Sequence, residues 1–284
     1  MSLILSIQSH VAYGYVGNKA AVFPLQCMGH DVIDINTVQF SNHTGYGAWT
    51  GQVFTPDHIR DILNGIRARG ALHKIKTILS GYMGSPQLGE IVLEAVREIR
   101  KISPDAVYCC DPVMGDTGRG FFVREGIPSF FRNEALKEAT IITPNQFELS
   151  WLTSTEIKTL DDAKTACRKA LDMGPEIALL TSLEHDQTPD GHIQMMAMSR
   201  SEAFTVTTPK LDLNVNGSGD CTSALFLGNY LKNRDLAESL SLTASSIFHV
   251  FEKTYELKSR EIALIQAQAG FKIEKSRFSA EICS

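Results

Sequence analysis

The segment NVNGSGDCTSALFLGNYLKN, residues 214–233, sets two glycines around a serine directly before an aspartate, then enters an apolar, helix-forming run. A loop-to-helix junction of this composition has two readings. Exposed amides at a helix N-terminus make an anion site, and Gly217 and Gly219 would let a phosphate approach the main chain closely. Alternatively, Ser218 or Asp220 is a routine cap on the first free N–H groups. The choice depends on what the rest of the chain brings to the same place.

Upstream of this junction, strand-like and helix-like segments alternate. LILSI at 3–7 reads as a buried strand, NKAAVFPLQCMG at 18–29 as a helix closed by glycine, and DVIDINTVQF at 31–40 as a second strand. Thr55 before Pro56 predicts a helix start, with the helix running to about residue 70 and followed by the strand TILSGY at 77–82. SPQLGEIVLEAVREIRKI carries a helical stripe of Ile91, Val92, Ala95, Val96 and Ile99, and AVYCCDPV at 106–113 is a strand closed by Asp-Pro. The glycine-rich GDTGRGFFVREG at 115–126 has the composition of a mobile flap. IITPN at 141–145, LDDAKTACRKALDMG, and EIALLTS at 176–182 continue the α/β alternation; residues 193–211 read as an antiparallel pair at a sheet edge, and two long helices finish the chain.

The expected fold is therefore α/β, one doubly wound domain over residues 1–284 with a mostly parallel central sheet flanked by helices. Such sheets bind ligands beyond the carboxyl ends of their strands. Polar clusters fall there six times: QSH at 8–10, SNHTGYG at 41–47, GY at 81–82, DPVMGD at 111–116, TPNQFE at 143–148 and TS at 181–182.

Composition narrows the chemistry. A 284-residue chain that is 43% hydrophobic and 21% charged supports a sizeable core, and a net charge of −5 with no run of like charge argues against nucleic acid as a partner. No stretch approaches the roughly 20 apolar residues that cross a bilayer, and MSLILSIQSH has no basic leader, so a cytoplasmic protein acting on small molecules is expected. The six cysteines show no C-x-x-C pair and read as buried thiols, although Cys221 at a helix start could be a stabilised thiolate. The histidines form no zinc motif. A P-loop, a dinucleotide fingerprint after the first strand and a G-x-S-x-G elbow are all missing, which removes the simplest NTPase, oxidoreductase and hydrolase readings.

Three carboxylates remain: Asp111 at a strand end, Glu148 three residues after Asn145 at a helix start, and Asp220 beside the glycines. Two of them near a polyphosphate would suit Mg²⁺, which takes one or two carboxylates and keeps its waters, and the third could be a base. Capping or a surface ion pair is the alternative for Asp111 and Glu148.

Taken together, IQSHVAYGYVGN, NTVQFSNHTGYG, LSGYMGS, CDPVMGD, ITPNQFE and NGSGD stand in the order and spacing of the pyridoxal kinases of the ribokinase-like superfamily, which the chain resembles over essentially its whole length. N-x-x-E and G-x-G-D mark the superfamily; QSH and QFSNHT mark the pyridoxal branch. The resemblance implies ATP-dependent phosphorylation of the 5′-hydroxymethyl group of pyridoxal, and of pyridoxine and pyridoxamine, in vitamin B6 salvage by a homodimer. It implies that Asp220 is the base and that Gly217, Ser218 and Gly219 form the anion hole. Ser9, Val16, Thr44, Gly45 and Tyr82 would surround the pyridine ring. Asn145, Thr181, Ser182, Thr208, Pro209, Lys210 and Leu211, with Ser218 and Gly219, would contact ATP. Asp111, Thr143 and Glu148 would serve both ATP and the metals, Mg²⁺ and a monovalent cation such as K⁺. His10 and His43 lie in family motifs and read as structural.

The chain departs from this pattern twice. Some bacterial relatives carry a flap cysteine able to react with the substrate aldehyde where this chain has Phe121 and Phe122, and a lysine near the nucleotide is replaced by Thr181, leaving Lys210 and Arg119 as conceivable substitutes. The competing readings are a hydroxymethylpyrimidine kinase, which shares the glycine loop, and a low-turnover pyridoxal-binding protein. QSH and QFSNHT speak against the first, and the intact Asp220 against the second.

Overall fold

In a computed structural model the structure describes residues 3–283. The chain runs β1 (Leu3–Val11), α1 (Asn18–Cys27), β2 (Asp31–Phe40), β3 (Gly51–Val53), α2 (Pro56–Ala68), β4 (Ile75–Ser80), α3 (Pro86–Ile102) and β5 (Val107–Cys110). A small hairpin, β6 (Gly115–Asp116) and β7 (Gly120–Phe121), precedes α4 (Ile127–Phe130) and α5 (Leu136–Glu138), which flank a π-helical turn. There follow β8 (Ile141–Ile142), α6 (Gln146–Thr153), α7 (Leu160–Asp172), β9 (Ile177–Leu183), β10 (His192–Met198), β11 (Ala203–Pro209), α8 (Ser218–Asn233), α9 (Leu236–Glu256) and β12 (Glu281–Ile282).

Ten strands form one sheet in the order β12-β11-β10-β9-β8-β5-β4-β1-β2-β3. The six central strands, β2, β1, β4, β5, β8 and β9, pair in parallel, and the pairings outside them are antiparallel. Successive residues of the central strands feed opposite faces, as the pleat requires. Leu5, Ile7, Ile78 and Tyr108 join α2, α3 and α7, while Ile4, Leu79, Val107 and Cys109 join α1, α8 and α9. Burial on both faces is why these strands read as continuous apolar runs.

The predicted helix starts are realised. Thr55, the predicted start, accepts the His58 N–H; Ser85, which the sequence reading did not single out, caps α3 in the same way by accepting the Leu88 N–H, each with a proline at the first helical position. Three expectations need adjustment. QSH does not follow the first strand but lies inside it, because β1 continues to Val11 against β2. The antiparallel pair β10–β11 is not the edge, since β12 adds outside β11. The edge strand β3, too short for an alternating pattern, pairs with the end of β2 and closes the opposite side.

The order of connection reverses at β1, whose neighbours are β2 and β4. A crevice opens beyond the carboxyl ends at such a point, and it holds the candidate site.

Candidate active site

Consecutive strand tips project functional groups at stepped positions. The Asp111 N–H bonds the Ser80 carbonyl (2.9 Å), the Thr143 N–H the Cys110 carbonyl (3.2 Å), and the Thr181 N–H the Pro144 carbonyl (3.0 Å), so the ladder itself aligns these residues. They line a cavity of about 920 Å³ together with Ser9, Val16, Thr44, Tyr82, Asn145, Glu148, Ser182 and Gly217 through Asp220.

One end of the cavity is apolar. Val11, Val16, Val38 and Phe40 form a small buried cluster against Val53 and Tyr82, and the Phe40 and Trp49 rings lie 4.2 Å apart between centroids. Flat walls with Ser9 and Thr44 at their edge suit a planar ring carrying polar substituents. Sequence reasoning missed Val11, Val38, Phe40, Trp49 and Val53, because nothing local marks the face a β2–β3 edge turns inward.

The opposite end is built on helix N-termini. At α6, Asn145 accepts the Glu148 N–H (2.9 Å) while Glu148 accepts the Asn145 N–H (2.9 Å), a reciprocal cap. Glu148 also accepts from the Met114 N–H (2.9 Å), and Asn145 donates to the Gly115 carbonyl (2.8 Å). The N-x-x-E pair therefore pins the loop after Asp111 onto α6. At α8 the N-cap position is Gly217 and no side chain caps it, so the serine is the first helical residue. The amides of Ser218 and Gly219 open the helix toward an anion.

The two glycines differ. Gly217 has φ +81°, and a Cβ there would collide with the Tyr15 carbonyl; a Cβ on Gly219 would meet nothing within 4 Å. The fold requires the first to be glycine. The second is bare only toward the cavity it lines.

Asp220 stands between the two ends. Its carboxylate accepts the Gly17 N–H, at the cap of α1, and its own N–H; burial still holds its pKa above the usual carboxylate range. Asp111, 4% exposed, is pushed well above that range by burial and by the charges of Glu148 and Asp220. Ser223, also missed from sequence, donates to Asp111 (3.1 Å), and its hydroxyl lies 2.7 Å from that of Thr143. Burial raises Glu148 to about 7 against the pull of three N–H donors. None of the ion pairs among the described residues involves these carboxylates. Asp111 and Glu148, buried acids that repel one another without a basic partner, fit a divalent cation.

The other expected residues lie apart from the cavity wall. Gly45 gives its N–H to Nδ1 of His43 (3.1 Å), and that histidine does line the cavity. Thr208, Pro209, Lys210 and Leu211 sit at the end of β11, with Lys210 paired to Glu184 (2.6 Å). Cys221 is fully buried and its thiol is raised far from ionisation, so it is no thiolate. Among the described residues no helix is long and apolar enough to cross a membrane.

An apolar pocket facing an uncapped helix N-terminus across a carboxylate is the layout of a small-molecule kinase, and residues 21–263 match the family model described as phosphomethylpyrimidine kinase. Within that class the chain is 53% identical over 276 residues to the pyridoxal kinase PdxY of Rubrobacter xylanophilus, covering 97% of this chain and 95% of the relative. It is 48% identical to that of Granulibacter bethesdensis, with 99% of each chain covered. The solved pyridoxal kinase from Leishmania donovani in complex with ADP and ginkgotoxin superimposes with a TM-score of 0.93 at 31% identity over 100% of both chains. The same kinase in complex with ADP and pyridoxamine gives 0.92 at 30% identity, again over 100% of both chains. The chain belongs to the pyridoxal kinase family.

Proposed function

We propose that this protein transfers the γ-phosphoryl group of ATP to the 5′-hydroxymethyl group of pyridoxal, and of pyridoxine and pyridoxamine, in vitamin B6 salvage. The observation that carries the reading is the position of Asp220, between an apolar ring-sized pocket and the open amides of α8. The pyridine ring lies among Val16, Tyr82 and the Phe40–Trp49 pair, with Ser9 and Thr44 on its substituents. The nucleotide lies along Asn145, Thr181 and Ser182 toward the end of β11, its terminal phosphate on the amides of Ser218 and Gly219.

Asp220, with its raised pKa, takes the proton as the hydroxyl oxygen attacks phosphorus and ADP leaves. The preorganised amides meet the charge that develops on the transferred group. Among the described residues no three His, Cys, Asp or Glu side chains converge on one metal point. Asp111 and Glu148 would hold Mg²⁺, partly through water. That ion would neutralise the phosphates, and K⁺ near Asp111 and Thr143 would add to the same balance. We further read the chain as one domain and a cytoplasmic homodimer, which light scattering on the purified protein checks for assembly.

A coupled ADP-release assay with ATP, Mg²⁺ and each B6 vitamer tests the reaction. Turnover of pyridoxal is expected; turnover of a hydroxymethylpyrimidine and of no B6 vitamer would overturn it.

A further inference from the structure

Beyond the cavity wall, one glutamate ties together three loops beside the acceptor end. Glu261 follows α9, and its main chain is fixed by Ser259, whose hydroxyl donates to the Glu261 carbonyl (2.6 Å) and accepts its N–H (3.0 Å). Its backbone bridges Asn216, the residue before the glycine loop. Its Oε2 accepts the Tyr15 N–H (3.0 Å), and its Oε1 accepts the Tyr46 hydroxyl. That bond pushes the Tyr46 pKa up to about 12, so the phenol remains a donor. The Arg260 guanidinium covers the Tyr46 ring at 3.8 Å, and the Tyr13 ring meets it edge-on at 6.1 Å. Gly14, at φ +90°, leaves room for the carboxylate where any Cβ would collide with it.

These contacts converge on the reacting atoms. Tyr15 precedes Val16, which lines the pocket, and Gly17, whose N–H holds the Asp220 carboxylate. The Tyr15 carbonyl packs directly against Gly217. Tyr46 ends the 3-10 turn that opens with Thr44. We infer that Glu261 is a positioning residue that clamps the loops at 14–17, 44–46 and 214–217 into one rigid acceptor site. It touches neither substrate and is absent from the cavity lining.

A partly buried polar knot of this kind holds geometry rather than binding ligand, and small displacements of a base or an acceptor are costly in rate. Glutamine can reproduce it. Its carbonyl accepts the Tyr15 N–H, and its amide donates to the Tyr46 oxygen, since a phenol both donates and accepts. Alanine cannot.

The inference rests on the pyridoxal kinase reading, and the test separates the two. In the full-length protein, Glu261→Ala should lower kcat/KM for pyridoxal by between about tenfold and a hundredfold, with KM for ATP held within about twofold. Glu261→Gln should restore most of the loss. Tyr46→Phe should add little to Glu261→Ala, because both act through one contact. Independently of turnover, amide hydrogen exchange in Glu261→Ala should quicken at residues 13–17 and 44–46 and stay unchanged in α8 beyond its first turn. If the wild type phosphorylates no vitamer, the function fails while the exchange result still decides the clamp. Unaltered exchange at those loops would overturn the inference. So would equal losses toward both substrates with exchange raised throughout.

Discussion

The two glycines of the α8 loop should respond in opposite ways to the same added methyl group. At Gly217, alanine must adopt φ +81° and its Cβ would lie 2.9 Å from the Tyr15 carbonyl carbon, with the oxygen closer still. Backbone strain of this kind costs about 1–3 kcal/mol, or about 2–4 °C in melting temperature for each kcal/mol in a chain of this size. The overlap adds to that cost, because Tyr15 is held by Glu261 and cannot yield freely. At Gly219 the backbone is already helical and the methyl meets nothing within 4 Å. Alanine there should stabilise the protein by about 0.4–1 kcal/mol through the unfolded chain. The methyl nevertheless occupies cavity space beside amides meant for the phosphoryl group. Losing one such contact costs about 10²- to 10³-fold in kcat. Gly219→Ala should thus melt higher and turn over far more slowly, whereas Gly217→Ala should melt lower. Differential scanning calorimetry with steady-state kinetics on both variants makes the comparison. A Gly219→Ala protein with wild-type kcat, or a Gly217→Ala protein with wild-type stability, would refute the division of roles.

Asp220→Ala should lose most turnover while retaining ATP binding by calorimetry, because its carboxylate faces the acceptor rather than the nucleotide; near-normal turnover would remove it from the role of base. Asp111 gives a pH prediction. Its folded pKa is raised, so the stability it contributes is present in acid and is lost as pH rises through the folded value. Glu148 contributes in the same sense, its share being lost as pH rises through about 7. Asp111→Asn keeps the uncharged form, so its melting temperature without nucleotide should gain on the wild type as pH rises above about 4. Added Mg²⁺ should raise the wild-type melting temperature more at the alkaline end and leave the variant unmoved; parallel melting curves for the two proteins would contradict this.

The layered fold was legible because its strands are buried on both faces and its helices begin with strong caps, as at Thr55 and Ser85. The phosphate end of the site was legible for a related reason. Helix N-termini are local features, so Asn145, Glu148 and the glycine loop announce themselves in order along the chain. The acceptor end was harder to read, since Val53 arrives on a three-residue edge strand and Trp49 in the loop before it, neither with any periodicity. Ser223 hides inside an apolar helix, and Glu261 acts across 246 residues on a main-chain N–H. Neither carries a spacing that a linear reading can detect. The loops also misplace QSH, because strand ends are set by pairing with β2 rather than by composition.

On the proposed reading, Thr181 leaves the nucleotide end without the lysine that the family resemblance implies there. The guanidinium groups lining the cavity are Arg119 and Arg124, and Arg119 is engaged by Asp116 at 2.8 Å. Lys210 is paired with Glu184. Thr181 lies inside β9 near its carboxyl end, with its hydroxyl 3.4 Å from the Pro144 carbonyl, contributing no charge. Arg124, the amides and a divalent ion are left to offset the phosphates. Restoring the cation by Thr181→Lys should then lower KM for ATP by about three- to tenfold, equivalent to about 0.7–1.4 kcal/mol. The change should fade as ionic strength rises, because the site is open to solvent. KM for pyridoxal should stay constant, since β9 lies across the cavity from the Phe40–Trp49 wall. If Thr181→Lys leaves KM for ATP unchanged at low salt, the phosphates do not pass this end of β9 and the nucleotide must lie elsewhere along the cavity.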